Sequence, residues 1–79
     1  MLRMNLDELK PGQCATILNI EGDSKFRQRL IAMGVTPGTW VMLRKLAPLG
    51  DPMEIRIRNY SLSIRKKDAR LIRVSLLEG

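Results

Sequence analysis

The fold this sequence predicts is small and mostly β, with five strands curled into a barrel and one α-helix after the first strand. Three observations point to it. Short segments alternate apolar and polar residues, most clearly Met53-Glu54-Ile55-Arg56-Ile57-Arg58. One segment, from Lys25 to Met33, changes to the helical period and sets Phe26, Leu30 and Met33 on one stripe. Glycine and proline turns separate the segments closely enough that every element must be short. A chain of 79 residues has no room for two cores, so it reads as one domain over 1–79 with its core at about 6–76. Closing the sheet on itself suits that size because it removes exposed strand edges.

Taken in order, Met4 to Leu9 reads as a single helical turn. Asn5 stands in the cap position, Glu8 follows three residues on, and Leu6 and Leu9 share a face. Lys10-Pro11-Gly12 ends it, and Cys14–Ile20, rich in β-branched and apolar residues, is the first strand. Glu21-Gly22-Asp23-Ser24 is a turn and helix cap. Gly34 follows the helix and suits the left-handed position that terminates one. Ile31 lies off the main stripe, either a flank of the core or an exposed apolar contact.

After a turn at Pro37-Gly38, Thr39–Leu46 is the second strand, apolar on both faces at its start. Ala47-Pro48-Leu49-Gly50-Asp51-Pro52 is a loop stiffened by two prolines. Met53–Arg58 is the third strand, with Met53, Ile55 and Ile57 inward. A tight turn at Asn59-Tyr60 leads into Ser61–Arg65, with Leu62 and Ile64 inward, which makes a hairpin. Lys66–Ala69 reads as a short turn, Ile72–Leu76 as the last strand, and Leu77-Glu78-Gly79 as a frayed end.

Composition excludes several chemistries. The chain has no histidine and one cysteine, Cys14, so it lacks the usual neutral-pH base, a disulfide and a metal-binding thiol pair. Ser24, Ser61, Ser63 and Cys14 therefore have no imidazole to activate them, and a serine–lysine pair of Ser63 with Lys66 or Lys67 is the one formal alternative. No phosphate-cradling loop of the P-loop kind is present. The expectation is a non-enzymatic protein of a reducing, intracellular compartment. No apolar run is long enough to span a membrane, and no signal peptide is visible after Met1. Cys14 reads as a small buried hydrophobe.

The net charge of +6 is uneven. Residues 1–39 carry five basic and four acidic side chains, and residues 40–79 carry nine and four, so the second half holds +5 of the total. Such a surface favours nucleic acid, an acidic protein face or an anionic lipid surface, and charge alone does not choose among them. Phe26, Trp40 and Tyr60 lie on three different elements, a thin stacking platform for single-stranded nucleic acid beside Arg56, Arg58, Arg65 and Arg73. Asp51, between Gly50 and Pro52, has two readings: a turn residue bonded to nearby backbone amides, or a carboxylate offered to a partner.

The runs Leu30-Ile31-Ala32-Met33-Gly34-Val35-Thr36-Pro37-Gly38, Ala47-Pro48-Leu49-Gly50-Asp51-Pro52 and Leu62-Ser63-Ile64-Arg65-Lys66-Lys67-Asp68-Ala69 together resemble the FeoA family, small cytoplasmic proteins of ferrous iron uptake. The resemblance runs from Leu6 to about Val74. It implies an SH3-like barrel and a partner, the FeoB-type membrane transporter with its cytoplasmic GTP-binding part. It also implies a cytoplasmic location; the basic second half adds, as an alternative, a peripheral position at the inner face of the cell membrane. A related domain ends some iron-dependent repressors, which leaves a stand-alone regulatory domain that senses metal or a peptide as the alternative. The partner-binding residues expected are Leu30, Ile31, Met33, Gly34, Pro48, Gly50, Asp51, Pro52 and Arg65. No catalytic residue, cofactor or metal site is expected; a carboxylate-only site would select ferrous iron poorly.

Overall fold

A computed structural model describes residues 2–77. Its strands are β1 (Leu2–Asn5), β2 (Cys14–Ile20), β3 (Trp40–Leu46), β4 (Met53–Ile57), β5 (Tyr60–Ile64) and β6 (Ile72–Leu77). A 3-10 turn (Leu6–Glu8) follows β1, α1 (Ser24–Ala32) follows β2, and a short α2 (Lys66–Ala69) follows β5. The strands form one antiparallel sheet in the order β1-β6-β2-β3-β4-β5.

Four expectations are corrected here: strand number, closure, the Asn5 cap and the turn at Lys66–Ala69. The sheet has six strands, and it is open: β1 and β5 are its edges and do not pair with each other. The sixth strand comes from Leu2–Asn5, which pairs with β6 from Leu2↔Leu76 to Asn5↔Arg73. Asn5 does precede the 3-10 turn, but its side chain caps nothing. Lys66–Ala69 is a helix rather than a plain turn. These two small elements explain the missing closure. The 3-10 turn directly follows edge strand β1, and α2 follows edge strand β5 after one residue; α2 packs on the 3-10 turn, with Leu6 and Ala69 fully buried. Side-chain packing, aided by an Arg70 Nε–Asp7 Oδ2 ion pair at 3.7 Å, joins the two edges where a ladder would otherwise run.

The core is the inner face of the sheet. Met53, Ile55 and Ile57 of β4 are fully buried, as their alternation requires, and register sets Ile57 beside Val41 and Ile55 beside Leu43. Each such side chain stabilises the fold by roughly 1.5–3 kcal/mol. Strict alternation would bury Asn19 in β2 and Lys45 in β3. It does not, because the register shifts between Ile17 and Asn19 and again between Leu43 and Lys45. Each irregularity adds one residue, Leu18 or Arg44, and changes the phase, so that Ile20 and Leu46 turn inward.

The helix ends as its sequence directs. Asp23 Oδ1 accepts from the Phe26 amide at 2.8 Å. At the other end the Val35 amide donates to Leu30 O at 2.9 Å and the Gly34 amide to Ile31 O at 3.0 Å, with Gly34 at φ +94°. Leu30 and Val35, both buried, complete this terminus with an apolar contact. The β4–β5 hairpin turns at Arg58-Asn59, one residue earlier than expected, so Tyr60 opens β5 opposite Ile57. The expected frayed end at Glu78 and Gly79 lies outside the described residues, while Leu77 belongs to β6. Cys14 is half-buried rather than core, since β2 turns Ala15 and Ile17 inward.

Candidate functional site

The residues expected to bind a partner fall into two clusters at opposite ends of the β4–β5 hairpin. At the Tyr60 end lie Leu30, Ile31, Met33 and Gly34, and at the Ile64 end lie Pro48, Gly50, Asp51, Pro52 and Arg65. Strand β5 separates them by about 13 Å at ~3.3 Å per residue. The fold therefore does not gather all nine into one patch.

In the first cluster Leu30 is buried and Met33 half-buried against the core, so neither is a free contact group. Ile31 is 48% exposed. It lines an open groove of about 320 Å³ between α1 and the end of β2, together with Ile20, Pro37, Asn19, Ser24, Arg27 and Gln28. Ile20, Ile31 and Pro37 make an apolar lining beside the cationic Arg27. Gly34 is a seat for a neighbour: a Cβ there would lie 2.5 Å from Tyr60 Oη. No sequence pattern links Gly34 to Tyr60, and that contact was not legible.

In the second cluster the loop is pinned at several points. The Gly50 amide donates to Ala47 O at 2.7 Å and the Ala47 amide to Pro52 O at 3.0 Å. Asp51 Oδ1 accepts from the Lys66 amide at 3.0 Å, at the start of α2. The turn reading of Asp51 is corrected: its carboxylate accepts from a backbone amide fifteen residues on and ties the loop to α2, rather than bonding to nearby amides. Gly50, at φ +87°, leaves room for Lys66, whose Nζ lies 3.4 Å from where a Cβ would stand. Pro48, Pro52 and Arg65 are exposed.

The aromatics do not assemble a stacking surface. Trp40 stands opposite Thr16, while Tyr60 lies on Gly34 and Phe26 is half-buried with the Arg29 guanidinium 5.5 Å from its ring centroid. Among the described residues no three His, Cys, Asp or Glu side chains are placed to hold a metal ion. No helix of the described residues is long and apolar enough to cross a membrane.

The model of the FeoA domain matches residues 4–76. The chain belongs to the FeoA family. A second similarity adds context: the chain is 40% identical over 76 residues to an Fe(2+) transport protein A/Fe(2+) transporter FeoB fusion protein of Porphyromonas gingivalis. That match covers 96% of this chain and 9% of the fusion protein, so the chain spans a small part of that relative's length. Among solved structures, an FeoA-like protein from Clostridium acetobutylicum is 34% identical with a TM-score of 0.90, covering 100% of this chain and 92% of that one. Stenotrophomonas maltophilia FeoA complexed with zinc, described as an SH3 domain protein, shares the fold at a TM-score of 0.79 and 21% identity, over 91% of this chain and 89% of that one. A manganese-dependent transcriptional repressor shares it too, at a TM-score of 0.85 and 14% identity, over 95% of this chain and 42% of the repressor. This FeoA domain is thus SH3-like, built as an open six-stranded antiparallel sheet.

Proposed function

We propose that this chain is a non-enzymatic accessory of ferrous iron uptake that docks on the cytoplasmic GTP-binding part of a FeoB-type transporter and supports or regulates transport. The observation that carries the reading is the fusion: a domain 40% identical to this one is joined in P. gingivalis to an iron transporter. Covalent linkage raises the effective concentration of two modules that act on each other, and a separate chain must replace it with an interface. The cytoplasm is where such an interface forms. The groove beside Ile31 is the contact we assign, because it pairs an exposed apolar side chain with a cationic lip on a scaffold held by both helix caps.

The test is binding of the intact chain to the full-length transporter in detergent. Replacing Ile31→Glu should weaken it at least tenfold, the scale of a central interface residue, while the denaturation midpoint stays put because Ile31 is already half in water. Undiminished binding by Ile31→Glu overturns the groove assignment. The alternative, a stand-alone regulatory domain that senses metal or a peptide, has the shared repressor fold behind it. A melting temperature that rises with ferrous or manganous ion would favour that alternative. Salt-sensitive retardation of an oligonucleotide would favour nucleic acid instead.

A further inference from the structure

The geometry points to a second contact on this domain: the tip of the 47–52 loop and the cations of α2 form a lipid-docking face for an anionic membrane surface. Leu49 is 97% exposed, the most exposed large hydrophobic side chain among the described residues. It stands at the tip of a loop closed by the Gly50–Ala47 and Ala47–Pro52 hydrogen bonds. The Asp51–Lys66 bond ties that loop to the start of α2. The tie brings charge beside the tip, for Lys66 Nζ lies over Gly50. Residues 65–70 carry Arg65, Lys66, Lys67 and Arg70 against Asp68 alone. Asp51 offsets one more charge and Asp7, paired with Arg70 Nε at 3.7 Å, another, which leaves a net charge of +1 carried by the exposed Arg65 and Lys67 and by Lys66 at the loop.

Ile31 shares a lined groove with Ile20 and Pro37, whereas Leu49 projects into solvent, so a protein partner would have to supply the whole pocket that covers it. Fluid acyl chains need no fitting. The surrounding cations then meet anionic headgroups, each contributing about fivefold to partitioning near a strongly anionic surface. One apolar tip and a few charges give weak, reversible binding. Such binding adds to a protein contact by confining the domain to the plane in which a transporter sits. Only that benefit rests on the transporter reading; the lipid contact itself does not.

Co-sedimentation of the intact chain with vesicles tests it without any transporter present. The chain should bind vesicles of phosphatidylglycerol mixed with phosphatidylcholine, and not phosphatidylcholine alone. Leu49→Ser should lower partitioning about fivefold to tenfold, and Lys66→Gln with Lys67→Gln about thirtyfold. Arg56→Gln with Arg58→Asn removes the same net charge from the middle and turn end of the hairpin, and should cost less than about threefold. No binding to anionic vesicles, or equal binding to neutral ones, overturns the proposal. So does a Leu49→Ser protein that binds like the unaltered chain, or a hairpin variant that loses as much as the α2 variant. If the α2 variant binds vesicles normally but loses the detergent-solubilised transporter, the face belongs to a protein contact and the lipid reading falls. Loss at Ile31→Glu alone, with vesicle binding intact, leaves the lipid face standing by itself.

Discussion

Gly34 is where helix termination and hairpin packing meet, so Gly34→Ala tests both at once. The residue sits at φ +94°, where a Cβ costs about 1–2 kcal/mol. The added Cβ would also lie 2.5 Å from Tyr60 Oη, too close for the phenol to stay. Tyr60 is 41% exposed and can swing outward, so the steric part should add only about 0.5–1 kcal/mol. The sum is about 1.5–3 kcal/mol, or roughly 6–24 °C in Tm for a domain of this size. Chemical and thermal denaturation of Gly34→Ala, Tyr60→Ala and the double variant separate the two parts. The steric share should vanish in the Tyr60→Ala background, and the backbone share should remain. Gly34→Asn should lose less than Gly34→Ala beyond the clash, because asparagine tolerates left-handed backbone. A Gly34→Ala protein within about 0.5 kcal/mol of the unaltered chain refutes the reasoning, since the backbone share alone exceeds that.

Three other expectations need only denaturation curves. Asp51→Ala should destabilise by about 1 kcal/mol through loss of the acceptor on the Lys66 amide, and Asp51→Asn by less, because an amide oxygen can still accept. Asp51→Ala therefore confounds binding with folding, which makes Ile31→Glu the cleaner probe of an interface. Asp23→Ala removes the acceptor of the Phe26 amide and should lose about 0.5–2 kcal/mol. Ile55→Val should lose about 0.5–1.5 kcal/mol and Ile55→Ala about 2–5, a large fraction of a small domain's stability.

Local patterns made much of the fold legible. Met53-Glu54-Ile55-Arg56-Ile57 announces a half-buried strand by alternation alone, and Asp23 and Gly34 bracket the helix with capping chemistry that acts within a few residues. Strand β1 was hidden because its pairing lies across the whole chain, at Leu2↔Leu76, while Asn5 and Glu8 imitate a local cap. Helix α2 was hidden for a similar reason. Four residues show no stripe, and what holds them is the burial of Ala69 and a carboxylate arriving from Asp51. The site followed the same rule. Asp51, Gly34 and Gly50 were visible as residues that matter, but their partners Lys66 and Tyr60 come from other elements. Leu49 carries no signal in the sequence, because exposure at a loop tip leaves no periodic trace.

The irregularities at Leu18 and Arg44 have a consequence for how such chains can change length. A deletion inside a strand ordinarily turns every later side chain to the opposite face. Here, removing Leu18 from β2 would leave Asn19 outward and Ile20 inward, and removing Arg44 from β3 would leave Lys45 outward and Leu46 inward. These are two interior positions at which one residue can be lost with every facing preserved, the sheet giving up local twist instead. Drift in chain length can therefore be absorbed within β2 and β3 themselves, and the loops that carry the proposed contacts need not take it up.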